Sequence, residues 1–296
     1  TYVVLNGNSQ LCKVRLSDKK MIWTTATGMA PFGIALSASK AYVTNWAGPV
    51  PTDASKETAG IPYGEVYIDP RTGATSSGSV SIIDLKTGAL EKELNVGLHP
   101  NAVISSKDGH FIYVSNVNSG YISVINTQTA EVVDSISVKL NPDENNLIGD
   151  SPNALAIDDS GNTLYVANGM DNAVAVVSLG KNASTSGEGI SHLKGFIPTE
   201  AYPAGLQVND HHLFVANLEG EGARVASEKR YNSHHQQATI SIIARPSDQK
   251  LIDYTKRVGA SNLLFREKIT NLLPRPSVAA TPVPERNGEP CFFENV

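Results

Sequence analysis

Apolar and polar residues alternate along most of the chain in short runs rich in Val, Ile and Tyr, divided by turns containing Gly, Asn or Asp. That period of two predicts antiparallel strands with a buried face. Four stretches repeat one order. They open at Pro31-Phe32-Gly33, Pro100-Asn101-Ala102, Pro152-Asn153-Ala154 and Pro203-Ala204-Gly205. Each reaches an aromatic-Val-small-Asn tetrad whose asparagine lies fourteen to sixteen residues after the proline: Tyr42 to Asn45, Tyr113 to Asn116, Tyr165 to Asn168 and Phe214 to Asn217. A further apolar strand follows at Val80–Asp84, Ile122–Asn126, Ala173–Ser178 and Thr239–Ile243. Ahead of these, Tyr2–Asn6 and Leu11–Leu16 read as the same two strands of a unit whose start is missing.

The prolines are 69, 52 and 51 residues apart, so the last two spacings suit a repeat of about forty to fifty residues. One unit divides into four strands, Ala102–Ser105, Phe111–Ser115, Ile122–Asn126 and Val132–Val138. Its first turn, Lys107-Asp108-Gly109, recurs as Asp159-Ser160-Gly161. A lone four-stranded sheet leaves a face wet, and radial packing against copies of itself buries it. The expected fold is therefore all-β, a β-propeller of four-stranded antiparallel blades. Four whole units and one partial unit give about five, and two more upstream would complete a seven-bladed ring. The tetrad is expected to be structural. Tyr42, Tyr113, Tyr165 and Phe214 fill space between blades, while Asn45, Asn116, Asn168 and Asn217 bond the backbone where the strand ends.

Composition narrows the function classes. A formal net charge of −5 with no basic run argues against nucleic acid. No apolar stretch is long enough for a membrane span. Cys12 and Cys291 stand near opposite ends, so a small disulfide framework is excluded. Two free thiols are expected, with one long-range bridge as the alternative. There is no Gly-x-Ser-x-Gly and no Walker-type loop, so neither a catalytic group nor a cofactor is assigned.

Three loops depart from the repeat and should crowd one end of the ring. Ala47–Ser79 carries Tyr63, Glu65, Tyr67 and Asp69. Leu218–Ala238 carries Glu219, Glu221, Arg224, Lys229, Arg230, His234 and His235. Leu140–Ser151 is an acidic crossover. Loops on a rigid scaffold concentrate function. The ligand-binding candidates are therefore Tyr63, Glu65, Glu219, Glu221, Arg224, His234 and His235, with His99 at the mouth of the central channel. His234 and His235 lack a metal-ligand spacing and read as a solvated pair, so no metal is expected.

After Val258 the repeat stops. Phe265, Ile269, Leu272 and Leu273 have the spacing of an amphipathic helix, with Ser261 as N-cap and Pro274 as stop. Five prolines between Pro274 and Pro290 then suggest a semi-rigid linker. The division expected is 1–258 for the propeller, truncated at its N-terminus, and 259–296 for the helix and linker.

The Tyr42-Val43-Thr44-Asn45 tetrad, the Pro-Asn-Ala openings and Val80–Asp84 resemble the YVTN family of β-propeller repeats. The runs Asn271-Leu272-Leu273-Pro274-Arg275, Pro282-Val283-Pro284-Glu285-Arg286 and Gly288-Glu289-Pro290 resemble the junction joining such a propeller to a C-terminal phosphoesterase domain in bacterial envelope proteins. The resemblance implies an accessory, non-catalytic module in the periplasm or at the cell surface. Its partners would be the attached phosphoesterase and a small-molecule or protein ligand. A propeller lactonase and a structural surface-layer or adhesion repeat are the alternatives.

Overall fold

The computed structural model describes residues 1–142, 149–180, 191–220 and 237–293. Its strands form successive antiparallel sheets, each assembled from neighbours in sequence. The first holds β1 (Tyr2–Leu5), β2 (Gln10–Arg15) and β3 (Lys20–Ala26). Three four-stranded sheets follow. They comprise β4 (Pro31–Ser37), β5 (Lys40–Asn45), β8 (Gly78–Asp84) and β9 (Leu90–Val96); β10 (Pro100–Ser105) to β13 (Glu131–Ser137); and β14 (Pro152–Ile157) to β17 (His192–Pro198). The last sheet has β18 (Ala201–Val208), β19 (His212–Gly220) and β20 (Thr239–Ala244). Between β5 and β8, β6 (Thr58–Ile61) and β7 (Gly64–Tyr67) form a separate hairpin.

Alternation along the strands builds the core. Tyr42, Val80 and Ile82 meet Ile112, Val114 and Ile125 of the next sheet. Tyr113, Ile122 and Val124 meet Leu164, Val166 and Val177. Tyr165, Val174 and Val176 meet Val208, Leu213 and Val215. Tyr42, Tyr113 and Tyr165 thus fill the seams between blades, while Phe214 of the last sheet is only partly buried. The first strands of successive sheets lie side by side around the axis, β4 against β10, β10 against β14 and β14 against β18. They approach so closely that a Cβ on Gly33 would sit 2.5 Å from the Asn101 carbonyl.

The tetrad asparagines are wholly buried, but they reach further than their own turn. Asn45 donates to Ser79, Ser81 and Glu93 at 2.9–3.1 Å, Asn116 to Ser123 Oγ at 2.9 Å, and Asn217 to Ser241 Oγ at 2.8 Å. They cross-link the second strand to the third, because a serine stands opposite the tetrad valine in these sheets. In the remaining sheet Ala175 takes that place. There Asn168 donates instead to Val138 O at 2.7 Å and to Asp171 Oδ2 at 2.9 Å.

The C-terminal region departs from the expected pattern. Among the described residues the last sheet has three strands where a whole unit is expected to have four, and the last of them ends at Ala244. Residues 248–258, grouped with the repeats by sequence, lie in helix α1 (Asp248–Ser261), capped by Ser247 accepting from Lys250 N. Ser261 is the last residue of this helix rather than the N-cap of the next. α1 lies on β17, burying Leu251 and Val258, and Thr255 Oγ1 accepts from Phe196 N at 2.8 Å. Phe265 and Ile269 fall in the short α2 (Leu264–Thr270). The following segment turns back on itself: Arg275 binds both oxygens of Glu289 at 2.7 and 2.9 Å, and Thr281 bridges to Cys291. Both cysteines are free thiols. No helix among the described residues is long and apolar enough to cross a membrane.

Candidate functional site

Four of the five blade sheets open on the same strained turn. Ala30, His99, Ser151 and Tyr202, the residues before the repeat prolines, all have left-handed backbones with φ of 50–55°. The proline that follows disfavours right-handed helical geometry. A left-handed non-glycine residue costs about 1–2 kcal/mol, offset by backbone bonds: Ala30 O accepts from Trp46 N at 3.0 Å, His99 O from Val117 N at 3.1 Å and Ser151 O from Gly169 N at 2.8 Å. The turn is fixed and its side chain varies, so each of these four blades presents one interchangeable residue at the end of the ring where the long loops cluster.

At His99 this device completes an aromatic staircase. Phe32 stacks on Trp46 with centroids 5.4 Å apart and planes 6° apart, and Trp46 stacks on His99 at 5.4 Å and 15°. His99 is half-buried and hydrogen-bonded to Thr75 and Asn118. Burial lowers its pKa, with the Asn118 bond opposing, which favours the neutral ring. Phe32 and Trp46, at 53% and 38% exposure, form the open end.

The Ala47–Ser79 insertion builds the adjoining wall. Its hairpin is anchored where Val66 joins Met29 and Ala47. Tyr67 Oη accepts from Thr52 N and Asp53 N, both at 2.7 Å. These contacts shape a cavity of about 510 Å³ lined by Thr52, Asp53, Lys56, Ser76, Ser119 and Tyr121, among others. Lys56 lies over the Tyr67 ring and 3.9 Å from Asp53. Cavity and staircase share three segments, since Pro49 and Val50 follow Trp46, Ser76 follows Thr75, and Leu98 precedes His99.

Of the candidates read from sequence, His99 and the insertion come together through Thr75. Tyr63 is exposed on the hairpin turn, its ring packed near Gly7, and Glu65 is exposed on β7. Glu219 is partly buried near the end of β19 in the last sheet. Glu221, Arg224, His234 and His235 lie outside the described residues. Phe32 and Trp46 were not picked out. Their signal was a departure from the repeat: after the proline the other units have Asn101, Asn153 and Ala204, and after the asparagine Val117, Gly169 and Leu218.

A second cavity, of about 400 Å³, lies between the Leu140–Ser151 crossover and the C-terminal helices. It is lined by Lys139, Asp150, Asp171, Asn262, Arg266 and Glu267, among others. Asp150 and Asp171 are buried against one another, and Asp171 is raised to about 8 by burial first and by Asp150 second. No three His, Cys, Asp or Glu side chains among the described residues converge as a metal site would require.

No protein-family model matches the chain, and no curated protein matches it. Solved structures do. Streptogramin B lyase matches over 84% of this chain and 70% of its own, at 11% identity and a TM-score of 0.50. Dihydro-heme d1 dehydrogenase NirN matches over 77% of this chain and 43% of its own, at 14% identity and a TM-score of 0.50. The Dos1 propeller matches over 73% and 46%, at 11% identity and a TM-score of 0.48. The fold is a β-propeller. At such identities the likeness concerns the fold alone, since propellers host unrelated activities.

Proposed function

We propose that this chain is a non-catalytic binding and scaffolding propeller whose recognition surface is the loop-rich end of the ring. The observation that carries this reading is the Phe32–Trp46–His99 staircase beside a hydroxyl-lined cavity. Exposed aromatics with a few fixed polar groups are the ordinary make-up of a ligand site. The reading extends to an accessory role for an attached C-terminal phosphoesterase domain of the bacterial periplasm or cell surface. Support for that extension is the sequence resemblance from Asn271 to Pro290.

The test is an assay of the purified chain for hydrolysis of p-nitrophenyl phosphate and of a homoserine lactone. No turnover above background is expected. Turnover that co-purifies with the chain and disappears in His99→Ala would contradict the proposal and favour a lactonase-type hydrolase.

A further inference from the structure

Resting on that reading, we propose that the staircase and its adjoining cavity bind a neutral saccharide, with sugar rings against Phe32 and Trp46 and hydroxyls directed to the cavity wall. The chemistry of the surface favours this class. A pyranose offers an apolar C–H face and a rim of hydroxyls, which calls for an aromatic platform beside groups that both donate and accept. The platform is present, offset by two 5.4 Å steps that leave Phe32 at the open end. Beside it stand Thr52, Ser76, Ser119 and Tyr121, whose hydroxyls can act either way, and the acceptor Asp53.

Charge points away from an anionic ligand. Lys56 is the one cation among the described lining residues, and it already faces both Asp53 and the Tyr67 ring. Burial favours the neutral form of His99. A phosphate or carboxylate would meet Asp53 with Lys56 already engaged and no other cation among the described lining residues, whereas a neutral polyol needs none. The walls are also preformed, because Tyr67 Oη holds the 52–53 backbone and Leu98 N donates to Ser119 Oγ at 2.9 Å. Preorganisation reduces the ordering cost of binding.

A glycan microarray followed by calorimetry with its strongest neutral binder tests the proposal. Trp46 provides a second readout: in Trp23→Phe it is the sole tryptophan, so its fluorescence should change saturably with the same ligand. Phe32→Ala should weaken binding about tenfold or more while leaving the melting temperature unchanged. Trp46→Ala should do the same. Absence of any neutral glycan signal, or equal affinity in Phe32→Ala, would overturn the saccharide assignment. Saturable quenching by adenosine or riboflavin with no glycan binding would also overturn it while preserving the binding-module reading. Hydrolytic turnover in the assays above would instead remove that reading.

Discussion

Asn168 donates its side-chain amide to Asp171 at 2.9 Å, the bond that takes over where Ala175 replaces the serine of the other sheets. Asp171 in turn lies against Asp150, which accepts from Leu140 N at 2.8 Å. A polar substitution inside one blade thereby connects the blade core to a carboxyl pair facing the C-terminal helices. Lys139, Arg266 and Glu267 complete the charged surroundings.

This pair makes stability depend on pH. Burial raises both carboxyls, Asp171 to about 8 from an ordinary 3.8. The native state therefore holds a proton that the unfolded chain has released between those values. The pair's contribution to stability is greatest below about pH 4, declines as pH rises to about 8, and levels off above. Asp171→Asn should flatten that decline and raise the melting temperature at about pH 8.5 by several degrees. Thermal melts of both proteins at about pH 5 and about pH 8.5 check this. Parallel pH dependence in the two would contradict it.

The blade seams give a contrast between equivalent positions. Ile240 and Ile242 in the last sheet are 72% and 65% exposed, while Val80, Ile122 and Val174, which match Ile240, are fully buried. Ile122→Ala should cost about 2–5 kcal/mol. Ile240→Ala should cost no more than about 0.5 kcal/mol. Denaturant unfolding of the two variants decides, and similar losses would show that the last sheet has a covered face in solution.

Helix α1 is joined to β17 by the exposed Lys194–Asp248 pair at 2.7 Å and, further in, by the bond from Phe196 N to Thr255 Oγ1. Thr255→Val keeps the shape but leaves the buried Phe196 N–H without its acceptor, at a cost of about 1–3 kcal/mol. Thr255→Ser should restore most of the loss. Amide exchange at Phe196 reports it directly, and unchanged protection in Thr255→Val would count against the assigned contact.

Much of the ring was legible because its signals are local. The strands Phe111–Ser115 and Ile122–Asn126 expected from alternation match β11 (Phe111–Asn116) and β12 (Tyr121–Asn126) to within a residue. Gly109 and Gly161 mark turns with positive φ. Helix α1 is not legible at the repeat's own period, although Ser247, Leu251 and Val258 carry its cap and inner face, because its residues follow closely on the last repeat strand. The candidate site was less legible. Phe32, Trp46 and His99 meet only when β4 and β10 converge on the axis, a relation that no spacing along one strand encodes. Asp150 and Asp171 come from two separate loops for the same reason.

The central claim is that recognition belongs to the loop-rich end of the ring. The most direct measurement is chemical-shift mapping of the labelled chain with the strongest neutral glycan from the array. The expected result is movement of the Trp46 indole N–H and the Gly48 and His99 amides, with Gly109 and Gly161 at the opposite end unmoved. Shifts confined to the Gly109 and Gly161 turns, with Trp46 silent, would contradict the account.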